Sequence, residues 1–127
     1  MKTLKKILVI DDSETNNILI KSLFEYKEGY EVVTLDNSKD VLHIVEKFLP
    51  DLILLDIMMP KKDGYDVLKE LKSNIKFKHI SVIVVSAKQE SKDIEMAMNL
   101  GAIDFIKKPL GNNDFVKKIE AFFKKVM

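Results

Sequence analysis

Five polar side chains stand at the ends of predicted strands, and together they could bind a cation and receive a phosphoryl group. Asp11 and Asp12 follow the first predicted strand, Asp56 follows the third, Ser86 the fourth and Lys108 the fifth. In an open parallel sheet, side chains at the carboxyl ends of the strands converge on one crevice, where such folds bind ligands. The sequence therefore predicts that three carboxylates, one hydroxyl and one ammonium group meet at one edge of a sheet.

Crowded carboxylates repel one another unless something offsets their charge. At about 4 Å, each pair is unfavourable by roughly 4 kcal/mol when the effective dielectric constant is about 20. Such carboxylates either take up protons or share a divalent cation. Oxygen ligands without a neighbouring histidine or cysteine favour Mg²⁺, with water filling its remaining positions. We therefore expect Mg²⁺ as the cofactor, with Asp11, Asp12 and Asp56 as candidate ligands.

Asp56 is the candidate nucleophile, because an ionised carboxylate can attack a phosphoryl group without a general base. Charge spreads over the three equatorial oxygens in such a transfer, and catalysis is mainly positioning and electrostatic stabilisation. Mg²⁺ would hold one of these oxygens, Lys108 a second and the Ser86 hydroxyl a third. The product would be an acyl phosphate on Asp56. The two histidines, His43 and His79, lie away from this edge and are assigned structural or surface roles.

The chain alternates short apolar runs with segments of helical periodicity, the pattern of a parallel sheet with connecting helices. The first, third and fourth runs are continuously apolar, which indicates central strands covered on both faces. The second run is more mixed and the fifth is short, which indicates the two edges of the sheet. The predicted strands are Lys6–Ile10, Glu31–Leu35, Leu52–Leu55, Ser81–Val85 and Asp104–Lys107.

Five helices fit between and after these strands. Ser13 and Asp63 are predicted N-caps, Gly29 and Gly101 lie just past helix ends, and Gly64 is predicted to meet a backbone requirement. The predicted helices are Glu14–Lys27, a helix that follows Ser38 and stops before Pro50, a helix that begins near Asp63, Glu90–Leu100 and Asn113–Val126. Together the elements predict an α/β fold, a flavodoxin-like (βα)5 three-layer sandwich with parallel strand order 2-1-3-4-5.

Length and composition indicate one soluble domain over residues 1–127, with a core over about residues 5–125. With 46% hydrophobic residues, 32% charged residues and a net charge of +1, the chain carries no strong field toward nucleic acid. The absence of cysteine excludes disulfides and thiolate metal sites. No apolar run reaches membrane-spanning length. We therefore expect a cytoplasmic protein that binds neither nucleic acid directly nor membrane, and no output domain within this chain.

The motifs resemble those of response-regulator receiver domains of two-component signalling, in particular single-domain regulators of the chemotaxis type. The resemblance covers essentially the whole chain, and the order and spacing of the motifs are intact. It rests on Asp11-Asp12, the run Asp56-Ile57-Met58-Met59-Pro60-Lys61-Lys62-Asp63-Gly64, Ser86-Ala87, Gly101-Ala102 and Lys108-Pro109.

The resemblance implies that Asp56 accepts a phosphoryl group from a phosphohistidine on a sensor histidine kinase or a phosphotransfer protein. Asp12 and Asp56 would bind Mg²⁺ together with the backbone carbonyl of Met58, and Asp11 would act through water. Met58 and Lys88 occupy positions that resemble this family's modulators of the phosphoryl lifetime. These assignments are expectations carried over from the family, residue by residue.

The resemblance also implies a conformational switch. Ser86 would move toward the phosphoryl group, and Phe105, at the family's aromatic switch position, would rotate inward. Phenylalanine lacks the hydroxyl that would hold the ring in water, so we expect a weak preference for the outward rotamer. A fully exposed Phe105 ring in the inactive protein would contradict this expectation.

A partner surface is predicted on the fourth helix, the fifth strand and the fifth helix, for a downstream protein target or a second copy of the chain. On the fourth helix, Met96 should project outward beside Leu100, whereas another face carries Ile94, Ala97, Met98 and Gly101. The residues with core spacing on the fifth helix are Phe115, Ile119, Phe122 and Val126, and Val116 and Phe123 widen this stripe.

The main alternative is a Mg²⁺-dependent phosphohydrolase with an aspartyl-phosphate intermediate. Such enzymes place a second acid two residues after the nucleophile, and that position here is Met58. Nucleotide-binding enzymes carry glycine-rich motifs that this chain lacks, and the aspartates would repel the phosphate of a flavin. A receiver that signals without phosphate is a third option, against which the intact polar set argues.

We therefore favour a phosphorylation-controlled binding module over a turnover enzyme. The sequence leaves open the cognate kinase, the downstream target, the phosphoryl lifetime and the oligomeric state. It also leaves open whether the chain is a stand-alone receiver or a piece of a longer protein.

Overall fold

A computed structural model describes residues 4–59, 63–87, 90–108 and 110–126, in which strands and helices alternate strictly. The strands are β1 (Lys5–Ile10), β2 (Tyr30–Leu35), β3 (Leu52–Leu55), β4 (Ser81–Ser86) and β5 (Asp104–Lys107). The helices are α1 (Glu14–Glu25), α2 (Val41–Phe48), α3 (Gly64–Ser73), α4 (Ser91–Asn99) and α5 (Asn112–Val126). The predicted number and order of elements are confirmed.

All paired strands run parallel, in the order β2-β1-β3-β4-β5. The predicted sheet order is therefore confirmed, with β2 and β5 at the edges. The register pairs Ile10 with both Leu35 and Leu55, so that β1, β2 and β3 end level with one another. This alignment brings the segments that follow these strands to one edge of the sheet.

The sheet separates two apolar cores, because successive strand residues point to opposite faces. Leu8 and Ile10 of β1 join a core with residues of α2, α3 and α4. Ile7 and Val9 join the opposite core, with residues of α1 and α5. The helices thus form two layers around the sheet, which confirms the predicted three-layer sandwich.

Helix ends follow the local chemistry of the sequence. Ser13 caps α1 by accepting a hydrogen bond from the Asn16 amide, and Asp63 caps α3 by accepting one from the Asp66 amide, both as predicted. Gly101 follows α4 with φ of 108°, a left-handed conformation that glycine adopts without strain. Helix α1 ends at Glu25, two residues before the predicted end at Lys27.

Two stripes of the carboxyl-terminal helices differ from the prediction. On α5 the buried residues are Phe115, Val116, Ile119 and Phe123, whereas Phe122 is half-buried and Val126 is exposed. The predicted and the observed residues both recur with a helical period. The buried face of α5 is, however, rotated from the predicted face toward the sheet. Val116 and Phe123 are therefore core residues that widen no surface patch.

The buried residues of α4 are Asp93 and Ala97, and Met98 is as exposed as Met96, at 42% each. Met96 projects outward as predicted, and Met98 is exposed to the same extent although its spacing places it on the face of Ile94 and Ala97. Residues one apart on a helix lie about 100° from each other, so Met98 lies at the border of the face that Ala97 buries.

His43 and His79 are both exposed, on α2 and in the segment before β4. Across the described residues, none of the helices combines the length and the apolar character that a membrane crossing requires.

Candidate functional site

Backbone hydrogen bonds continue the sheet by one residue beyond three strand ends and fix the polar residues there. The Asp11 amide donates to the Leu35 carbonyl oxygen at 3.0 Å, and the Asp56 amide donates to the Ile10 carbonyl oxygen at 2.9 Å. At the other side of the site, the Lys108 amide donates to the carbonyl oxygen of Ser86 at 3.0 Å. The positions of the three side chains are thus set by the sheet.

Three carboxylates meet at this edge, as the sequence predicted. One oxygen from each of Asp11, Asp12 and Asp56 lies within 4.8 Å of the others. Asp11 and Asp56 are buried, and Asp12 is exposed. The cluster therefore has two carboxylates removed from water and one that faces it.

Lys108 supplies positive charge to the cluster. Its Nζ lies 2.7 Å from Asp11 Oδ2 and 3.6 Å from Asp56 Oδ2. The side chain of Lys108 is 19% exposed, so this ion pair is largely shielded from solvent. Among the residues that the structure describes, one ammonium group faces three carboxylates, and a divalent cation would neutralise the excess negative charge of their ionised forms.

Burial, together with the negative charge of Asp11, raises the pKa of Asp56 to about 6. The Met58 amide, which donates to Asp56 Oδ1 at 3.1 Å, and the Lys108 ammonium group act in the opposite direction. In the protein without a bound cation, Asp56 is therefore partly protonated near neutral pH. A neighbouring cation would favour the ionised form, which is the nucleophilic form.

Gly64 lies directly against the backbone of the two residues that follow β3. A Cβ atom at this position would lie 2.4 Å from both the carbonyl oxygen of Asp56 and the Cα of Ile57. The Gly64 amide also donates to the Ile57 carbonyl oxygen at 3.1 Å. The predicted backbone requirement is confirmed, and its cause is the close approach of α3 to the loop after β3.

Ser86 and Phe105 lie on the neighbouring strands β4 and β5. Ser86 ends β4 and is fully buried, and Phe105 is 9% exposed and packs in the core shared with α2, α3 and α4. The fully exposed ring that would contradict a weak outward preference is therefore not observed. Of the other expected positions, the Met58 side chain is 54% exposed, and Lys88, Pro60, Lys61, Lys62 and Pro109 lie outside the described residues.

Two asparagines of α1 contact Asp11, and the sequence interpretation missed both. Asn16 Nδ2 donates to Asp11 Oδ2 at 2.7 Å, and Asn17 Nδ2 donates to the Asp11 carbonyl oxygen at 2.8 Å. One signal was present in the sequence, because Asn17 shares the helical stripe of Ile20 and Phe24. A polar residue on a buried stripe requires a hydrogen-bond partner, and the strand-end aspartate supplies it.

The family is established by comparison with known proteins. The model of the response regulator receiver domain matches residues 7–120. The chain belongs to this family, and its acidic cluster lies where the carboxyl ends of the parallel strands meet.

Relatives and solved structures agree with this membership. The chain is 34% identical over 121 residues to the alkaline phosphatase synthesis transcriptional regulatory protein PhoP of Bacillus subtilis, an alignment that covers 95% of this chain and 49% of PhoP. It thus spans about half the length of the curated relatives it matches. The structure of the phosphorylated cyanobacterial phytochrome response regulator RcpA superposes with a TM-score of 0.86 at 31% identity, over 98% of this chain and 97% of RcpA. The Mn²⁺-bound form of response regulator Rcp1 gives a TM-score of 0.78 at 26% identity, over 92% and 90% of the two chains.

The residues at the site fit a divalent cation. Receiver domains bind such a cation at an acidic cluster, and Asp11, Asp12 and Asp56 form such a cluster here. The donors are oxygens, and two of them belong to buried carboxylates, of which Asp56 has a pKa raised by burial and by the charge of Asp11. Hard oxygen donors of this kind suit Mg²⁺ or Mn²⁺.

Proposed function

We propose that this chain is a phosphorylation-controlled receiver that accepts a phosphoryl group on Asp56. The observation that carries the proposal is a buried carboxylate with the Lys108 ammonium group at 3.6 Å and two further carboxylates beside it. The donor is a phosphohistidine of a sensor histidine kinase or a phosphotransfer protein. The family match over residues 7–120 supports one receiver domain with a core of about residues 5–125, and the expected cytoplasmic location belongs to the same proposal.

In the transfer, an Asp56 carboxylate oxygen forms a bond to phosphorus while the phosphorus–nitrogen bond of the donor histidine breaks. The Met58 amide holds Asp56 Oδ1 at 3.1 Å, which leaves Oδ2 as the oxygen that faces the Lys108 side of the site. We assign the attack to Oδ2 for this reason. The product is an acyl phosphate, and water later attacks its phosphorus to restore the carboxylate and release phosphate.

Mg²⁺ is the proposed cofactor, held by Asp12, Asp56 and the Met58 carbonyl, with Asp11 acting through water. When bound, it supplies charge neutralisation for the oxygens of the transferring phosphoryl group. The raised pKa of Asp56 supports this assignment, since added positive charge keeps the nucleophile ionised. Because water is excluded from the two buried carboxylates, their electrostatic attraction to a cation is stronger than it would be in water.

Lys108 and Ser86 are the proposed partners of the remaining phosphoryl oxygens. In the unphosphorylated protein the Lys108 ammonium group lies nearer to Asp11 than to Asp56, at 2.7 Å against 3.6 Å. A short movement brings it to a phosphoryl oxygen on Asp56. The Ser86 side chain moves toward the phosphoryl group, and its hydroxyl donates to another oxygen. The Phe105 ring then occupies the space that Ser86 leaves.

The proposed output is a change in the surface of α4, β5 and α5, read by a downstream protein or by a second copy of the chain. Met96 supplies an exposed apolar side chain on this surface. Val116 and Phe123, which are buried, do not contribute to it. Met58 and Lys88 are proposed to set the rate at which water reaches the acyl phosphate.

The test is the intact mass of the protein after incubation with acetyl phosphate and Mg²⁺. We expect one added phosphoryl group, lost in Asp56→Asn and in the presence of a chelator, and retained in Asp66→Asn, which removes an exposed carboxylate on α3. An adduct that persists in Asp56→Asn would overturn the proposal. So would the absence of any adduct in a protein that binds Mg²⁺ but gives no response to beryllofluoride.

Turnover separates this function from the phosphohydrolase alternative. A receiver is labelled stoichiometrically and does not hydrolyse small phosphate esters in general. Repeated hydrolysis of p-nitrophenyl phosphate by the wild-type chain, lost in Asp56→Asn, would favour the enzyme instead.

A further inference from the structure

Asp11 is held by more donors than its neighbours in the acidic cluster. Its Oδ1 accepts a hydrogen bond from the Ser13 amide at 2.9 Å. Its Oδ2 accepts from Asn16 Nδ2 at 2.7 Å and from Lys108 Nζ at 2.7 Å. The Asp11 carbonyl oxygen accepts from Asn17 Nδ2 at 2.8 Å. Both carboxylate oxygens and the carbonyl oxygen are therefore engaged.

These donors have different effects on the side chain of Asp11. Asn17 fixes the backbone, and the Ser13 amide fixes one carboxylate oxygen. The other oxygen is shared between a charged donor, Lys108, which the proposed mechanism moves, and a neutral donor, Asn16, which it does not. Among the residues that the structure describes, Asn16 is the one uncharged side chain that holds an Asp11 carboxylate oxygen.

We propose that Asn16 is a positioning residue of the cation site. It keeps the Asp11 carboxylate in one orientation while Lys108 moves toward Asp56, so that Asp11 remains in place to act on the bound cation. The inference rests on the proposed function and extends it to a residue of α1. Partners that orient a metal-binding side chain from outside the ligand set commonly contribute about tenfold or more to metal affinity.

The neutral character of Asn16 is part of this role. A lysine or arginine at this position would place a second fixed positive charge on Asp11 and would compete with the divalent cation for the same carboxylates. An apolar residue would leave Asp11 Oδ2 with Lys108 as its partner, so that each movement of Lys108 would release this oxygen and leave the carboxylate held by the Ser13 amide at Oδ1 alone. The amide group avoids both effects, because it donates a hydrogen bond without adding charge.

The experiment measures the dissociation constant of Mn²⁺, used alone as the probe, by the electron paramagnetic resonance signal of free Mn²⁺. The variants are Asn16→Leu, which removes the donor without loss of volume, Asn16→Ala, which removes it with loss of volume, and Asn16→Gln, which keeps an amide. Thr15→Val is the matched control, because Thr15 is the exposed preceding residue of α1. Urea unfolding verifies that each variant is folded.

We expect the dissociation constant to rise about tenfold in Asn16→Leu and Asn16→Ala, to return most of the way in Asn16→Gln, and to stay unchanged in Thr15→Val. A constant that is unchanged or lower in folded Asn16→Leu and Asn16→Ala would overturn the inference. It would mean that Asn16 joins α1 to the loop without a part in cation binding.

Phosphorylation by acetyl phosphate provides a second measurement. If Asn16 acts through the cation, the rate in Asn16→Leu falls at limiting Mg²⁺ and recovers at saturating Mg²⁺. A rate that stays low at saturating Mg²⁺ would count against the inference. Failure of the wild-type chain both to become phosphorylated and to respond to beryllofluoride would overturn the proposed function alone, since the Mn²⁺ constants test Asn16 without any phosphoryl transfer.

Discussion

The Asp56 carboxylate is buried beside Asp11, and its ionised form is therefore disfavoured in the folded protein. The Met58 amide and the Lys108 ammonium group offset part of this effect, but the pKa of Asp56 still lies at about 6. The proposed acceptor residue thus weakens the cation-free fold at neutral pH. A bound cation would remove this penalty, which links cation binding to stability.

The first prediction concerns the pH dependence of stability. The pKa of Asp56 is raised in the folded state from 3.8 to about 6. Protonated Asp56 therefore contributes to the free energy of unfolding fully below about pH 4, and this contribution is lost as the pH rises through 6. In a chelator, the free energy of unfolding of the wild type should therefore decline between these pH values relative to that of Asp56→Asn. Urea unfolding at a series of pH values measures the difference.

Asp66→Asn serves as the control for that series, because Asp66 is exposed on α3. Its pH profile should follow that of the wild type. Identical profiles for the wild type and Asp56→Asn would contradict the prediction. At pH 7 we also expect Asp56→Asn to be more stable than the wild type, by of the order of 1–3 kcal/mol.

Single residues of the site were predictable from the sequence where strand ends supply them. Asp11, Asp12, Asp56 and Lys108 follow apolar runs, and parallel strands end at one edge. Asn16 was not predictable in this way. Its contact with Asp11 spans five positions across a loop and a helix start, a spacing with no fixed geometry in either element.

At the scale of elements, the start of α3 packs against Asp56 and Ile57, which directly follow β3. Asp63 caps the helix, and Gly64 packs against the backbone of Asp56 and Ile57. Any side chain at Gly64 must push α3 away from Asp56 and Ile57, because the atoms it would meet are backbone atoms of these two residues. The orientation of Asp56 therefore depends on a residue eight positions later in the chain.

The second prediction is that Gly64→Ala destabilises the protein by about 1–3 kcal/mol, as overpacking does in a well-packed site. It should also slow phosphorylation by acetyl phosphate, since Asp56 is displaced. Gly111→Ala is the matched control, because a Cβ atom there would lie 3.8 Å from its nearest contact, an Asp114 oxygen. Unchanged stability and phosphorylation in Gly64→Ala would contradict the close approach.

A buried hydrogen bond joins α3 to α4. The Tyr65 hydroxyl donates to Asp93 Oδ1 at 3.2 Å, and both residues are buried. Burial, together with the hydrogen bond to Asp93 and its charge, raises the pKa of Tyr65 to about 12. This contact connects the helix that supports the acceptor loop to the helix that carries the proposed partner surface.

The third prediction follows from this raised pKa. The protonated Tyr65 hydroxyl stabilises the fold fully below pH 10.0, which is its pKa in the unfolded state. This stabilisation is lost as the pH rises through about 12, which is its pKa in the folded state. Tyr65→Phe should lower the free energy of unfolding by about 1 kcal/mol at pH 8, and the difference from the wild type should shrink between pH 10 and 12. Urea unfolding monitored by circular dichroism measures it. Tyr26→Phe, at a residue that is 91% exposed, should change neither value; a constant difference for Tyr65→Phe would contradict the argument.

The element boundaries were more predictable than the helix faces. Ser13 and Asp63 cap helices with their own side chains, and Gly101 ends a helix through its backbone conformation. These roles belong to the residue types themselves, which can be read directly from a sequence. The face that α5 buries depends on how the helix is rotated against the sheet. The sequence of α5 carries apolar residues on two adjacent faces, so Val126 and Phe123 could not be ranked without the packed structure.

At the scale of the whole molecule, the proposed partner surface takes exposed apolar residues from α4, where Met96 and Met98 are each 42% exposed. Ile103, just before β5, is 45% exposed. The fold itself was predictable at this scale, because the alternation of apolar runs and helical segments permits few arrangements of the chain.

The fourth prediction tests this surface. If the surface is read by a second copy of the chain, the wild-type chain should dimerise in the presence of Mg²⁺ and beryllofluoride. Met96→Lys should then weaken the dimer by about tenfold or more, because it places a charge in an apolar contact. Sedimentation velocity measures the association. Phosphorylation by acetyl phosphate should be unchanged in Met96→Lys. Ile18→Lys, on the exposed face of α1, is the control and should dimerise normally; normal dimerisation of Met96→Lys would contradict the assignment.

The division of the interior by the sheet has a consequence for how a signal leaves the site. Phe105 packs in the core on the side of α2, α3 and α4, and its neighbour Ile106 packs in the core on the side of α1 and α5. In the proposed switch, a rearrangement around Phe105 would reach α4 through the core that they share, whereas the buried face of α5 belongs to the opposite core. The surface of α4, β5 and α5 therefore combines elements of both cores, and a protein bound across it would respond to a displacement of α4 relative to α5.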